Sequence, residues 1–87
     1  MVSKVMKLEN PDGFHMRPAV TFTSALTKFD SDVALVFKGQ RINGKSLLNI
    51  VASGISSGDV FTVECDGKDE NEALACAEKL IGSGFHV

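Results

Sequence analysis

Apolar residues along the chain recur sometimes every second position and sometimes every third or fourth, and these changes of period divide it into segments. In residues 2–8, VSKVMKL, Lys4, Met6 and Leu8 fall on one face and Ser3, Val5 and Lys7 on the other, in a length and β-branched content that suit a strand. Pro11-Asp12-Gly13 ends it with turn chemistry. From Met16 to Phe29 the spacing changes: Ala19, Phe22, Leu26 and Phe29 recur at three or four residues, one face of a helix. Pro18 must lie in that helix's first turn, where its missing N–H would be unbonded anyway. The helix therefore starts within a residue or two of His15.

The remaining segments follow the same logic. Asp30-Ser31-Asp32 is a polar break, and Val33, Leu35 and Phe37 then alternate with Asp32, Ala34, Val36 and Lys38 as a strand. Lys38-Gly39-Gln40 predicts a tight turn into a short strand, Arg41-Ile42. Residues 46–53 predict a short helix, with Ser46 as N-cap and Gly54 just past its end. Leu47, Leu48, Ile50 and Val51 cannot all face one core on so short a helix, so at least one should be exposed. Phe61, Val63 and Cys65 alternate with Val60, Thr62 and Glu64 in a further strand. Asp69 and Glu72 form an Asp-x-x-Glu capping box for a last helix, with Ala73, Leu74, Ala77, Leu80 and Ile81 as its apolar stripe and Gly82 as its end. Gly84-Phe85-His86-Val87 reads as a loose tail. The order β-α-β-β-α-β-α predicts two layers, helices on one face of the sheet and water on the other, with Lys7, Lys38, Thr62 and Glu64 on the wet face.

Composition narrows the function. The chain has 87 residues, which suits one domain spanning 1–87. Its formal net charge is −2, which argues against a nucleic-acid partner. No apolar run approaches the ~18 residues of a membrane span, and Met1-Val2-Ser3-Lys4-Val5 lacks the core of a signal peptide, so the expected location is cytoplasmic. Cys65 and Cys76 are too few for a disulfide framework and have no zinc-ligand spacing to another Cys or His, so two buried free thiols are expected and no metal. P-loop, GxGxxG and HExxH patterns are absent, and no cofactor is expected.

The chemistry concentrates at Gly13-Phe14-His15-Met16-Arg17-Pro18-Ala19. A histidine titrates near neutrality, so a neutral ring nitrogen is available as a nucleophile. At a helix start, backbone N–H groups and the positive end of the dipole can stabilise an arriving phosphoryl group. Arg17 adds a forked donor two residues on, restricted by Pro18 to an extended or first-turn backbone that could hold it back toward His15. No Ser-His-Asp or Cys-His set is evident, so the chemistry is carriage of a group delivered and removed by other proteins, not hydrolysis.

The segment from Gly13 to Ala19 resembles the G-x-H-x-R-P-A signature of HPr, the histidine-containing phosphocarriers of the bacterial phosphoenolpyruvate:sugar phosphotransferase system. Lys45-Ser46-Leu47-Leu48 with Ser53-Gly54-Ile55 resembles the family's second functional segment, and residues 67–80 resemble its final helix. The resemblance implies an α+β open-faced β-sandwich, a four-stranded antiparallel sheet covered on one side by three helices. It implies that His15 takes a phosphoryl group on Nδ1 from phosphorylated enzyme I and passes it to IIA domains of sugar permeases, that Arg17 steadies the phosphohistidine, and that the protein is a carrier and not an enzyme. It implies that Met16, Val20, Leu47, Leu48 and Val51 dock partners and that Ser46 is modified by an HPr kinase/phosphorylase. An alternative within the family is mainly regulatory: phospho-Ser46 would bind a catabolite-control regulator. A monomer is expected.

The chain departs from the family's pattern at several positions. Asp12 stands where many members carry Ser or Asn, and a carboxylate there would repel a phosphoryl group on His15. Met16 replaces a common Ala or Thr, and Ser24 and Thr27 stand where some relatives carry lysines. The strand and helix order is shared with ferredoxin-like RNA binders and metal chaperones, but a chain without Tyr or Trp, net acidic and without a close Cys pair lacks what either would need.

Overall fold

The computed structural model describes residues 1–11 and 13–85. The elements are β1 (Val2–Lys7), α1 (Met16–Leu26), β2 (Asp32–Phe37), β3 (Gln40–Asn43), α2 (Leu47–Ala52), β4 (Val60–Asp66) and α3 (Glu70–Gly82). The strands form one antiparallel sheet in the order β1-β4-β2-β3. Pairing of Met6 with Phe61 and of Leu35 with both Val63 and Ile42 places the apolar face of every strand toward the helices. Met6, Phe61, Val63, Leu35 and Ile42 are buried there with Phe22 and Leu26 of α1, Ile50 of α2 and Ala77 and Ile81 of α3. The opposite face carries exposed Val5, Lys7 and Val60, with Thr62 and Glu64 half-buried and Glu64 ion-paired to Arg41. This is the predicted open-faced sandwich.

Local chemistry explains most element ends. Phe37 pairs with Gln40 across Lys38-Gly39, whose φ values of 51° and 77° give the left-handed backbone that matches the twist of a two-residue hairpin. α1 stops at Leu26, short of Phe29, because the chain turns out of the helix and the Phe29 carbonyl accepts from Lys45 Nζ (2.6 Å). Lys4 does not enter the core with Met6 and Leu8; at the sheet edge its ammonium reaches Glu78 of α3. Cys65 is fully buried, which pushes its thiol up to about 11, with Glu70 and then Asp69 adding to the effect of burial; Cys76 is half-buried, and both are free.

The last helix differs from expectation at its start, and the segment after it is not the loose tail expected. Asp69 is its N-cap residue but makes no capping bond, so the Asp69–Glu72 box does not form. The Asp69 carboxylate instead accepts the backbone N–H groups of Asp30 and Ser31, each at 2.9 Å, and the Ser31 hydroxyl. Ser31 is 1% exposed, and its donors would otherwise be buried without an acceptor. A neighbouring carboxylate serves the helix end: Glu70 Oε1 accepts the Gly67 N–H at 3.2 Å. At the other end the helix stops at Gly82, as expected, and Gly84 closes it at φ 68°, with its N–H bonded to the Ile81 carbonyl and the Phe85 N–H bonded to the Leu80 carbonyl at 2.8 Å. Phe85 then packs on Phe14, with ring centroids 5.4 Å apart. Residues 84–85 are therefore tied down; His86 and Val87 lie outside the described residues.

The Ser31 hydroxyl first, then the Asp30 amide, hold the Asp69 carboxyl below the usual aspartate range. A depressed folded-state value adds stability that is complete above the unfolded value and disappears as pH falls through the folded one. Asp69→Ala should therefore melt below wild type near neutral pH. The gap should close only as pH drops below the ordinary aspartate value of about 3.9, as thermal melts down that pH range would show.

Candidate functional site

Two loops meet beneath His15. Gly13 has φ 61°, and a Cβ there would lie 2.9 Å from the Ser56 Cα and 3.1 Å from the Ser57 nitrogen. Glycine is thus required twice over, by conformation and by space. The close approach lets the Phe14 N–H reach the Ile55 carbonyl at 3.2 Å. Phe14 is buried against Phe22, Phe61 and Phe85, at centroid distances of 5.6, 5.9 and 5.4 Å. Asn10 braces the turn from below, donating from Nδ2 to the Gly13 carbonyl at 2.7 Å and accepting the Gly13 N–H at its own carbonyl.

His15 follows as the N-cap of α1, with an extended backbone (φ −75°, ψ −178°). Its carbonyl accepts the Ala19 N–H at 3.0 Å, but its imidazole makes no capping bond and its side chain is exposed. The N–H groups of Met16 and Arg17 lie in the first turn, where no intrahelical acceptor exists, and Pro18 has none to satisfy. That turn contains no acidic residue and carries Arg17. An arginine there works against the helix dipole, an unfavourable interaction of roughly 0.3–1 kcal/mol that an arriving anion would reverse. Phe14, His15, Met16, Val51, Gly54, Ile55 and Ser56 line a cleft of about 370 Å³. Its polar edge is the imidazole and the 54–56 backbone; its walls are apolar.

The other sequence-predicted residues are placed unevenly. Met16 is 56% exposed, Val20 41%, Leu48 78% and Val51 38%, while Leu47 is half-buried against the core. On α2 only Ile50 is buried, so the surplus of apolar residues read in that helix is displayed outward beside α1. Ser46 caps α2, its Oγ accepting the Asn49 N–H at 3.3 Å. It sits at the helix start, outside the His15 cleft, which α2 reaches through Val51. Arg17 is exposed but does not share that cleft; it lines a neighbouring one with Asn10, Pro11, Pro18, Thr21, Gly84 and Phe85. Among the described residues its guanidinium makes no ion pair. Asp12 lies outside the described residues. Two parts of the site had no sequence signal of chemistry: Asn10, legible only as the start of an Asn-x-x-Gly turn, and the Ile55 carbonyl, a main-chain atom.

Fold and site together define an open-faced α+β sandwich that displays an uncommitted histidine at a helix N-cap beside a cluster of apolar side chains. A family model described as the PTS HPr component phosphorylation site matches residues 2–83. The phosphocarrier protein HPr of Buchnera aphidicola is 34% identical over 74 residues, 85% of this chain and 87% of that one. The crystal structure of HPr-C-His from Thermoanaerobacter tengcongensis superposes with a TM-score of 0.95 at 33% identity, covering 98% of this chain and 96% of that one. A crystal structure of an HPr dimer from the same organism superposes with a TM-score of 0.79 at 32% identity, over 100% of both chains. The chain belongs to the HPr family, the phosphocarriers of the phosphotransferase system.

Gly13→Ala should be destabilised by about 1–3 kcal/mol from its backbone conformation alone, with further loss from the contact on Ser56. Denaturant unfolding measures the first. Chemical-shift changes confined to residues around Phe14 and Ile55 would identify the second.

Proposed function

We propose that His15 is the phosphoryl acceptor, receiving the group from phosphorylated enzyme I and passing it to the IIA domains of sugar permeases in the cytoplasm. The observation that carries this reading is the exposed His15 imidazole, uncommitted to its own helix, at a helix start without acids, in a chain of the HPr family. In the transfer a neutral imidazole nitrogen attacks the phosphorus, the bond from phosphorus to the enzyme I donor atom breaks, and the electron pair of that bond stays with the donor. The ring then holds the phosphoryl group, and its other nitrogen keeps the proton. On transfer to an acceptor the same bonds exchange in reverse. Such steps need little covalent chemistry from the protein beyond placement and charge stabilisation. The first-turn N–H groups supply part of that stabilisation. Arg17, which makes no ion pair among the described residues and is anchored two residues away, turns from its own cleft to the phosphoryl oxygens.

Met16, Val20, Leu48 and Val51 form the docking collar, with Leu47 supporting it from the core. Partners reach His15 by covering this apolar surface, so one surface serves donor and acceptors in turn, and the chain acts as a monomer during each exchange. Ser46 lies at the start of the helix that carries three of these residues. A phosphoserine there would keep a favourable interaction with the α2 dipole while placing about −1.5 to −2 charges beside Leu47 and Leu48. Modification by an HPr kinase/phosphorylase would thus change the docking surface without unfolding it.

Incubation with enzyme I and phosphoenolpyruvate should add one acid-labile phosphoryl group to the wild-type protein, and none to His15→Ala, by intact mass. Equal labelling of His15→Ala would reject the site. Arg17→Ala should still be labelled, but with transfer slowed about 10²- to 10³-fold, the usual cost of losing one charge-stabilising donor.

Ser46→Asp separates regulation from stability. Aspartate is as good an N-cap as serine, so its melting temperature should stay near wild type. Its negative charge should weaken productive encounter with enzyme I about tenfold, or roughly 1.4 kcal/mol. A variant that transfers as fast as wild type would remove Ser46 from the docking surface.

A further inference from the structure

We infer that Asn10 is a positioning residue for phosphoryl transfer, acting through the peptide unit that joins Gly13 to Phe14. The inference rests on His15 being the acceptor. Both ends of that one peptide plane are held. Its carbonyl accepts from Asn10 Nδ2 at 2.7 Å, and its N–H donates to the Ile55 carbonyl at 3.2 Å. A peptide plane tethered at one end can rotate about its flanking bonds; tethered at both ends it cannot. The next residue, Phe14, is pinned by three aromatic rings. The residue after it is His15. The Cα of His15 is therefore fixed by a chain of contacts that begins at Asn10.

Asn10 is an unusual choice for a purely structural position. It is 8% exposed, and its Oδ1 is buried with no hydrogen-bond partner among the described residues. A carbonyl oxygen 2.7 Å away admits only the amide nitrogen on that side, so the unpaired atom must be the oxygen. A buried acceptor without a donor opposes folding. An apolar side chain of similar volume would avoid that penalty but could not hold the Gly13 carbonyl. The bond to Gly13 is thus retained at the expense of stability, the pattern expected where geometry at a functional site outweighs the packing optimum. Asn10 also lines the cleft that holds Arg17, so loosening the 10–13 turn disturbs both sides of the helix start.

The test compares Asn10→Ala and Asn10→Leu with wild type in phosphoryl transfer from enzyme I, at a temperature where circular dichroism shows each variant folded. Leu keeps the volume and lacks the donor. Misplacement of the acceptor should lower kcat about tenfold or more in both variants, with KM within about twofold because the docking collar is intact. Amide hydrogen exchange at Phe14 should speed up in both variants relative to the protected amides of β4. Wild-type kcat in Asn10→Leu, or a loss confined to KM, would overturn the inference. So would unchanged exchange at Phe14. A wild-type protein that takes no phosphoryl group overturns the functional reading and this inference together; normal wild-type transfer with normal kcat in the variants overturns this inference alone.

Discussion

The contact between Gly13 and the Ser56–Ser57 backbone decides where the His15 cleft lies. The loop after β1 and the loop after α2 are distant in sequence, and only a residue without a side chain lets them touch. Once they touch, the Phe14 N–H finds the Ile55 carbonyl, Phe14 enters the core, and His15 emerges at the start of α1. The same seam brings Gly54, Ile55 and Ser56 alongside the imidazole and carries Val51 to the cleft wall. A pair of strand–helix connections thereby becomes one site. The sheet and its core set the scaffold; this single approach converts the scaffold into a surface with a histidine at its centre.

Much of this was legible in the sequence because it depends on periodicity or on residues with one role. Pro18 has few places to sit, so it marks the start of α1 unaided. The outward display of Leu48 and Val51 follows from counting apolar residues on a helix too short to bury them. The four strands follow from alternation, and the antiparallel sheet came with the family resemblance; the order β1-β4-β2-β3 was not legible, because it depends on pairing between segments far apart in the chain. What was not legible depends on contacts between segments far apart in the chain. Asp69 carries the signature of a capping residue, but its carboxylate serves Asp30 and Ser31, because two buried donors in another loop compete for it. Phe85 looks like part of a loose tail until the partner ring, Phe14, is placed beside it. Asn10 has no local signal beyond its turn, since its function lies in which carbonyl it holds. Arg17 shows the limit from the other side: proximity in sequence to His15 did not place its guanidinium in the same cleft.

Stability and function also draw on different parts of the structure. The Asp69–Ser31 junction, the Lys45–Phe29 bond and the Schellman turn at Gly84 lock element ends, the last of them beside the Arg17 cleft. Around His15 the balance reverses. There the structure keeps an Asn10 oxygen with no hydrogen-bond partner among the described residues and a first helical turn with an arginine and no acid. Each is mildly unfavourable alone.

That acid-free helix start has a consequence for distance. At physiological ionic strength the field of an exposed charge is screened over about 8 Å. The positive end of α1 and the guanidinium of Arg17 are therefore felt by a phosphoryl group already in contact, and scarcely by a protein still diffusing in. The chain's net charge of −2 gives no strong pull at longer range either. On the function proposed above, the apolar collar would decide which surfaces linger, and the charges of the α1 start would act once a phosphoryl group is in contact.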